Sequence, residues 1–231
     1  MSIEQMNNLY DNLNKIIQMD CIEGMKLLPD KSVNMILTDI PYDNVTRNGE
    51  ERAKNAGQLR VLNKGEADIL TFDLEEFLAE CYRISNGSIY IFCGIEQMSD
   101  IFSYFDSKKD MITRQCIWHK TNPSPLNAQH YWVHSFENCI YAKKRKSTYN
   151  DGYAHNVWDF PIERKVEFYT PKPLKLFKCL IEKSTNRGDL VLDPCIGSGT
   201  TGLACKELKR DFIGFDLNAE FVELANRRLE L

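Results

Sequence analysis

None of the eight cysteines falls in a Cys-x-x-Cys or in a Cys/His spacing of the kind that holds zinc. No metal site is expected, and the cysteines read as reduced, mostly buried thiols. Also missing is an apolar run long enough to span a bilayer, and the opening Met-Ser-Ile-Glu-Gln does not set a basic stretch ahead of an apolar one. Neither membrane insertion nor secretion is indicated, so a cytoplasmic protein is expected. Positive charge is not in excess: 29 Lys and Arg face 33 Asp and Glu, a net charge of -4, which is a poor balance for a surface that must hold phosphates. The only dense basic run is Lys143-Lys144-Arg145-Lys146, followed by Tyr149 and Tyr153, and it is the candidate for contacts to a polyanion. Internal repeats and low-complexity segments are absent. A chain of 231 residues, 43% of them apolar, suits a single globular domain over 1–231.

What is present centres on Asp189 to Asn218. A short apolar run, Leu190-Val191-Leu192, ends in Asp193-Pro194 and passes through Cys195 and Ile196 into the glycine loop Gly197-Ser198-Gly199. Thr200 and Thr201 then open a helix. The next apolar run, Phe212 to Phe215, ends at Asp216-Leu217, near the spacing at which a nucleotide-binding unit places an acid on a ribose hydroxyl. The glycines let backbone approach a ligand closely, since no Cβ intervenes and positive φ is open to them. A pyrophosphate prefers bare amides at a helix N-terminus, whereas Asp193 puts negative charge there and suits a cationic group. An amine together with a ribose points to S-adenosylmethionine before NAD.

The rest of the chain alternates strands and helices. Lys15 to Met19 reads as a strand ending at Asp20-Cys21, and Val33 to Thr38 as a strand buried on both faces that ends at Asp39. Residues 43–70 form a long connection expected to move when substrate binds. Asp73 and Glu76 fit a capping box, with Phe72 and Phe77 as a hydrophobic staple, on a helix that Asn86-Gly87 would end. Further strands are read at Ser88 to Cys93, Thr113 to Trp118 and Asn138 to Ala142. Residues 144–170 look irregular and offer no core face. This pattern implies an α/β fold, a mostly parallel sheet with helices on both faces.

Asp193-Pro-Cys-Ile-Gly-Ser-Gly-Thr-Thr resembles the cofactor motif of the amino-methylating DNA methyltransferases, and Asp39-Ile40-Pro41-Tyr42 resembles their catalytic tetrapeptide, usually Asp-Pro-Pro-Tyr. Asp20-Cys21, Trp118-His119-Lys120-Thr121-Asn122-Pro123, Phe136-Glu137-Asn138 and Thr170-Pro171-Lys172-Pro173-Leu174 also match, in the family's order and over nearly the whole chain. The resemblance implies a Rossmann-like, doubly wound, seven-stranded sheet: a circularly permuted class I methyltransferase fold with the cofactor half split between the chain's two ends. It implies S-adenosylmethionine bound by Asp20, Cys21, Lys172, Asp193, Pro194, Ile196, Gly197, Ser198, Gly199, Thr200, Thr201, Asp216 and Leu217. In this reading Lys172 meets the cofactor carboxylate.

The resemblance further implies that Asp39 and the Ile40 carbonyl accept from the exocyclic amine of a flipped base, on which Tyr42 stacks. Ile40 departs from the family's proline, and the departure loosens the loop. Double-stranded DNA is the implied partner, contacted by Lys143, Lys144, Arg145 and Lys146, with 144–170 as a short target-recognition insert. A homodimer and a cognate restriction nuclease are admitted as partners. An Asp opening the tetrapeptide goes mostly with adenine N6. Cytosine N4, a non-catalytic cofactor- or DNA-binding relative, and an RNA or protein methyltransferase remain alternatives.

Overall fold

The structure, a computed structural model, describes residues 12–42, 72–125, 128–130, 132–163 and 171–230. The connection expected to move at 43–70 lies outside the described residues. Along the chain come β1 (Lys15–Gln18), α1 (Cys21–Lys26), β2 (Val33–Asp39), α2 (Leu74–Ile84), β3 (Ser85–Cys93), α3 (Ile95–Asp106) and β4 (Met111–Lys120). There follow β5 (Phe136–Lys144), β6 (Val157–Phe160), α4 (Leu174–Ser184), β7 (Leu190–Asp193), α5 (Thr200–Leu208), β8 (Asp211–Asp216) and α6 (Ala219–Glu230).

The strands form one sheet in the order β1-β8-β7-β2-β3-β5-β4-β6. Every described pairing is parallel except those of β5, which runs antiparallel to both β3 and β4. Side chains alternate across the central strands, so the two faces carry separate cores. Ile36, Ile89 and Ile91 pack with Met25 of α1, Phe77 of α2 and Phe105 of α3. Met35, Leu37 and Phe92 pack on the opposite face with Phe177 of α4, Ala204 of α5 and Ala225 of α6. A sheet covered on both faces explains the near-continuous apolar runs of β2, β3 and β7.

Among the described residues the sheet has eight strands rather than the seven expected. The eighth, β6, lies in the stretch read as irregular, and it pairs in parallel with β4 from Ile117↔Val157 to Lys120↔Phe160. That stretch does have a core face, because Trp158 and Phe160 pack against the second core. Four residues flanked by polar sequence carry too short an alternation to stand out from a loop.

The start of α2 matches its sequence signals in part. Asp73 accepts from the Glu76 amide at 2.9 Å, and Phe72 stacks on Phe77 with centroids 4.7 Å apart. The Glu76 carboxylate pairs with Lys26 at 2.9 Å rather than closing the box. The other end differs from expectation: Asn86-Gly87 does not stop α2 but lies inside β3, which begins directly at Ser85. The β2–β3 register shifts between Val33 and Met35, and a Cβ on Gly87 would sit 1.8 Å from the Asn34 carbonyl oxygen. The glycine therefore serves close approach of two backbones. Gly87→Ala should destabilise the protein by about 1–3 kcal/mol, read as a lower urea midpoint at unchanged m-value.

Candidate active site

The C-terminal ends of β2, β7 and β8 lie side by side and present Asp39, Asp193 and Asp216, with Asp20 after β1 completing the row. The chain leaves β7 toward β8 on one side and β2 toward β3 on the other. The crevice between β7 and β2 is thus a topological switch point, where open α/β sheets bind ligands.

The loop after β7 is held from three directions. Gly197 and Gly199 take φ of +46° and +76°, and the Gly197 amide donates to Asp216 Oδ2 at 3.0 Å. The Ile196 amide donates to the Phe215 carbonyl at 2.9 Å. Arg228 of α6, which the sequence reading missed, donates to the Ser198 carbonyl at 2.8 Å and to the Thr200 hydroxyl at 3.2 Å. A Cβ built on Gly197 meets no atom within 4 Å, so the loop offers bare backbone beside the Asp216 carboxylate. Asp216 also accepts from the Asn218 amide at 2.8 Å, which leaves each oxygen a second lone pair for a hydroxyl donor. Burial raises its pKa. Leu217 next to it is exposed. Bare backbone, a carboxylate able to accept more, and an apolar side chain together fit a ribose-bearing ligand.

Seven residues expected to touch that ligand have side chains that are buried or engaged within the protein instead. Asp193 does not present its charge to a cationic group: it is 3% exposed, with Oδ1 accepting from the Cys195 amide at 3.2 Å and Oδ2 from the Thr201 hydroxyl at 2.5 Å. It ties the loop to α5, and burial pushes its pKa up to about 7. Ile196 points into the core against Gly214, where a Cβ would come within 2.3 Å of its Cδ1. Thr201 and Thr200 are likewise buried, as is Pro194. Asp20 caps α1, its Oδ1 accepting from the Ile22 and Glu23 amides at 2.9 and 3.1 Å, and Cys21 is buried.

The tetrapeptide sits at the centre of a charge cluster. Asp39 Oδ1 accepts from the Tyr42 hydroxyl at 3.0 Å, and Oδ2 accepts a short bond from Lys172 Nζ. Lys172 also pairs with Glu137 Oε2 at 2.9 Å, and Lys120 pairs with Glu137 Oε1 at 2.8 Å. Lys172 therefore spends its charge on Asp39 and Glu137 rather than standing free for a cofactor carboxylate. Burial opposes the Glu137 charge, but Lys172 and Lys120 outweigh it and bring the pKa down to about 2. Asp39 moves the other way: burial raises it, the Glu137 charge adds to that, and Lys172 only partly offsets the two. Burial also lifts the Tyr42 phenol well above its usual value.

Backbone support for the tetrapeptide comes from two groups. The Ile40 amide donates to the Phe92 carbonyl at 3.2 Å, extending the β2–β3 ladder with a bond that proline could not make. Ile40 itself is buried at 1% exposure, so the departure from the family pattern is anchored rather than loosened. Gln97 of α3 donates to the Pro41 carbonyl at 2.9 Å while its own carbonyl accepts from the Gly94 amide at 2.9 Å. Gln97 stands three residues after the N-cap Gly94, and its contact with Pro41 leaves no signal in the sequence.

The basic run lies elsewhere. Because β5 is antiparallel, Lys143 sits opposite Ser88, near the start of β3, whereas Asp39 is level with Phe92 and Cys139. At about 3.4 Å per residue the run is roughly 15 Å from Asp39 along the sheet. Lys143 donates to the Ser147 carbonyl at 2.8 Å, Lys144 pairs with Asp110 at 2.9 Å, and Arg145 donates to the Lys109 carbonyl at 3.0 Å. Lys146 is exposed beside them. The run closes a turn at the opposite end of the strands and does not belong to the surface around Asp39. On Asp39's own edge, the segment entering β5 exposes Trp132 at 97% and Phe136 at 42%.

A glycine loop and an Asp-led tetrapeptide on adjacent strands of a permuted α/β sheet define the methyltransferase class. Residues 33–227 match the N6/N4 family model described as DNA methylase. Type II methyltransferase M2.DpnII of Streptococcus pneumoniae is 32% identical over 97% of this chain and 93% of its own length. Type II methyltransferase M.HinfI of Haemophilus influenzae is 30% identical over 96% of this chain and 70% of its own length. The crystal structure of the M1.HpyAVI–SAM complex superposes with a TM-score of 0.69 at 29% identity, covering 93% of this chain and 99% of that one. PvuII DNA methyltransferase, cytosine-N4-specific, shares the fold at a TM-score of 0.66 and 15% identity, over 92% of this chain and 85% of its own. The chain belongs to the N6/N4 DNA methylase family.

The Asp193 carboxyl has a measurable signature. Its folded pKa of about 7 stands above the unfolded value of about 3.9, so between those limits the native state holds the extra proton. Its contribution to stability is complete below about pH 4 and is lost as pH rises through about 7. Asp193→Asn should flatten the pH dependence of the urea unfolding free energy over that window.

Proposed function

We propose that this protein is a site-specific DNA adenine-N6 methyltransferase that takes its methyl group from S-adenosylmethionine. The observation that carries the reading is the adjacency of β2 and β7, which sets the Asp39 tetrapeptide beside the glycine loop. S-adenosylmethionine supplies a methyl group on a positively charged sulfur. Gly197, Asp216 and Leu217 would hold it, with Asp216 accepting from ribose hydroxyls.

The acceptor amine is a poor nucleophile, because its lone pair is delocalised into the ring. Asp39 retains a lone pair on each oxygen beyond those given to Tyr42 and Lys172. Accepting from the amine there, together with the Ile40 carbonyl, favours a pyramidal nitrogen and aims its lone pair. An ordinary carboxylate is too weak a base to deprotonate the amine outright, so Asp39 orients first and takes the proton as the nitrogen–carbon bond forms. Gln97 supports this by fixing the Pro41 carbonyl, and Tyr42 stands next to the base. Trp132 and Phe136 offer flat rings at the same edge to unstacked bases.

The preference for adenine rests on Asp39 at the head of the tetrapeptide. Nucleosides from DNA incubated with protein and cofactor should contain N6-methyladenine by mass spectrometry; a dominant N4-methylcytosine peak selects the cytosine reading instead. The type II label of the relatives supports a companion restriction nuclease of the same recognition sequence. The chain is read as a single domain, with the insert at 144–170 recognising the target and a homodimer as the assembly. Sedimentation of the purified protein tests the dimer.

The two carboxylates separate by assay. Asp39→Ala should abolish turnover while cofactor affinity by calorimetry stays within a few fold, because its bonds are made to the acceptor amine. Asp216→Ala should instead weaken cofactor binding about tenfold or more, the loss of charge-assisted bonds worth about 1.5–3 kcal/mol.

A further inference from the structure

The charge cluster around Asp39 contains more than the proposed reaction has used. Lys172 comes from the segment before α4, Glu137 from the start of β5, and Lys120 from the end of β4. All three are largely buried, with side chains 9%, 17% and 12% exposed. Lys172 stands between Pro171 and Pro173, both buried, in a sequence whose backbone is restricted on both sides. Its ammonium reaches two carboxylates at once, and Glu137 is braced from behind by Lys120. Two cations and two anions thus balance at the mouth where Asp39 must work.

We propose that Lys172, clamped by Glu137, is a positioning residue that keeps the Asp39 carboxylate ionised and fixed in orientation toward the acceptor amine. The inference rests on the reading of Asp39 as the group that accepts from that amine, since a protonated Asp39 loses the acceptor lone pair the amine requires. Burial and the Glu137 charge both favour protonation of Asp39, and Lys172 is the nearby cation that opposes them. Among the described residues, Tyr42, Cys93 on β3, Cys139 on β5 and Asp193 on β7 complete the titratable set facing Asp39; the phenol and both thiols are held protonated by burial. Glu137 has opposing roles: its charge raises Asp39 directly, and its bond to Lys172 sets where the ammonium sits.

The test is the pH profile of single-turnover methyl transfer with saturating DNA and S-adenosylmethionine. In Lys172→Met the acidic limb should move upward by about one pH unit or more, which means roughly a tenfold loss near neutrality that recovers at alkaline pH. Lys172→Arg keeps the charge and should return the limb to its wild-type position. Glu137→Gln should move the limb the opposite way, toward acid, because a negative neighbour is gone while Lys172 stays on Asp39. Cofactor affinity should remain within a few fold throughout. An unmoved limb in folded Lys172→Met overturns the inference, as does a parallel loss of cofactor affinity, which would put Lys172 on the cofactor. If Lys172→Met does not fold, Lys172→Gln, which keeps a hydrogen-bond donor between Asp39 and Glu137 but no charge, is read in its place: an unmoved limb overturns the inference. Wild-type turnover in Asp39→Ala would instead remove the reading beneath it, whereas an inactive Asp39→Ala with unmoved limbs sinks this inference alone.

Discussion

The active-site edge depends on the parallel pairing of β2 with β7. Met35 and Ile36 stand level with Val191 and Leu192, and the Asn34 side chain accepts from the Leu190 amide at 2.9 Å. These contacts join parts of the chain 156 positions apart and enclose the switch-point crevice. Each strand is covered on both faces, so register is set by burial: a one-residue slip would turn Met35 and Leu37 into the wrong core. Asp39 and the glycine loop are neighbours because of this pairing and not through any direct bond between them.

The glycine loop shows how a ligand cradle is built from packing. Asp193, Ile196 and Arg228 face inward or hold the loop from behind, and they leave Gly197 and Asp216 to face the ligand. A carboxylate as buried as Asp193 is costly unless its oxygens find donors, which the Cys195 amide and Thr201 hydroxyl supply. The result is a loop whose positive-φ glycines are fixed before any ligand arrives, so less ordering remains to be done on binding.

Around Asp39 the balance is electrostatic. Removing one partner of a buried pair leaves an uncompensated charge, which costs about 3–5 kcal/mol, so the cluster stands or falls together. The 34% exposure of the Asp39 side chain leaves it open to substrate while its partners stay enclosed. A rigid, charge-balanced setting of this kind suits a carboxylate that must orient a weak nucleophile rather than act as a strong base.

The sequence by itself determined the order of the strands and helices apart from β6, the Asp-led tetrapeptide, the glycine loop and the acid that follows it. Each of these is written in a handful of consecutive residues whose periodicity or turn chemistry is local. Only the tertiary structure decided that Lys172 lies on Asp39, 133 positions away, and that Glu137 and Lys120 join them, because strand order and the reversed direction of β5 set those contacts. The same reversal carried Lys143–Lys146 to the far end of the strands. Asp193 was legible as a loop acid, but whether its carboxylate faced a ligand or Thr201 depended on how α5 packs against β7. An eighth strand escaped the sequence for a related reason: Val157–Phe160 is a strand because β4 offers it an edge, and an available edge is a property of the folded sheet.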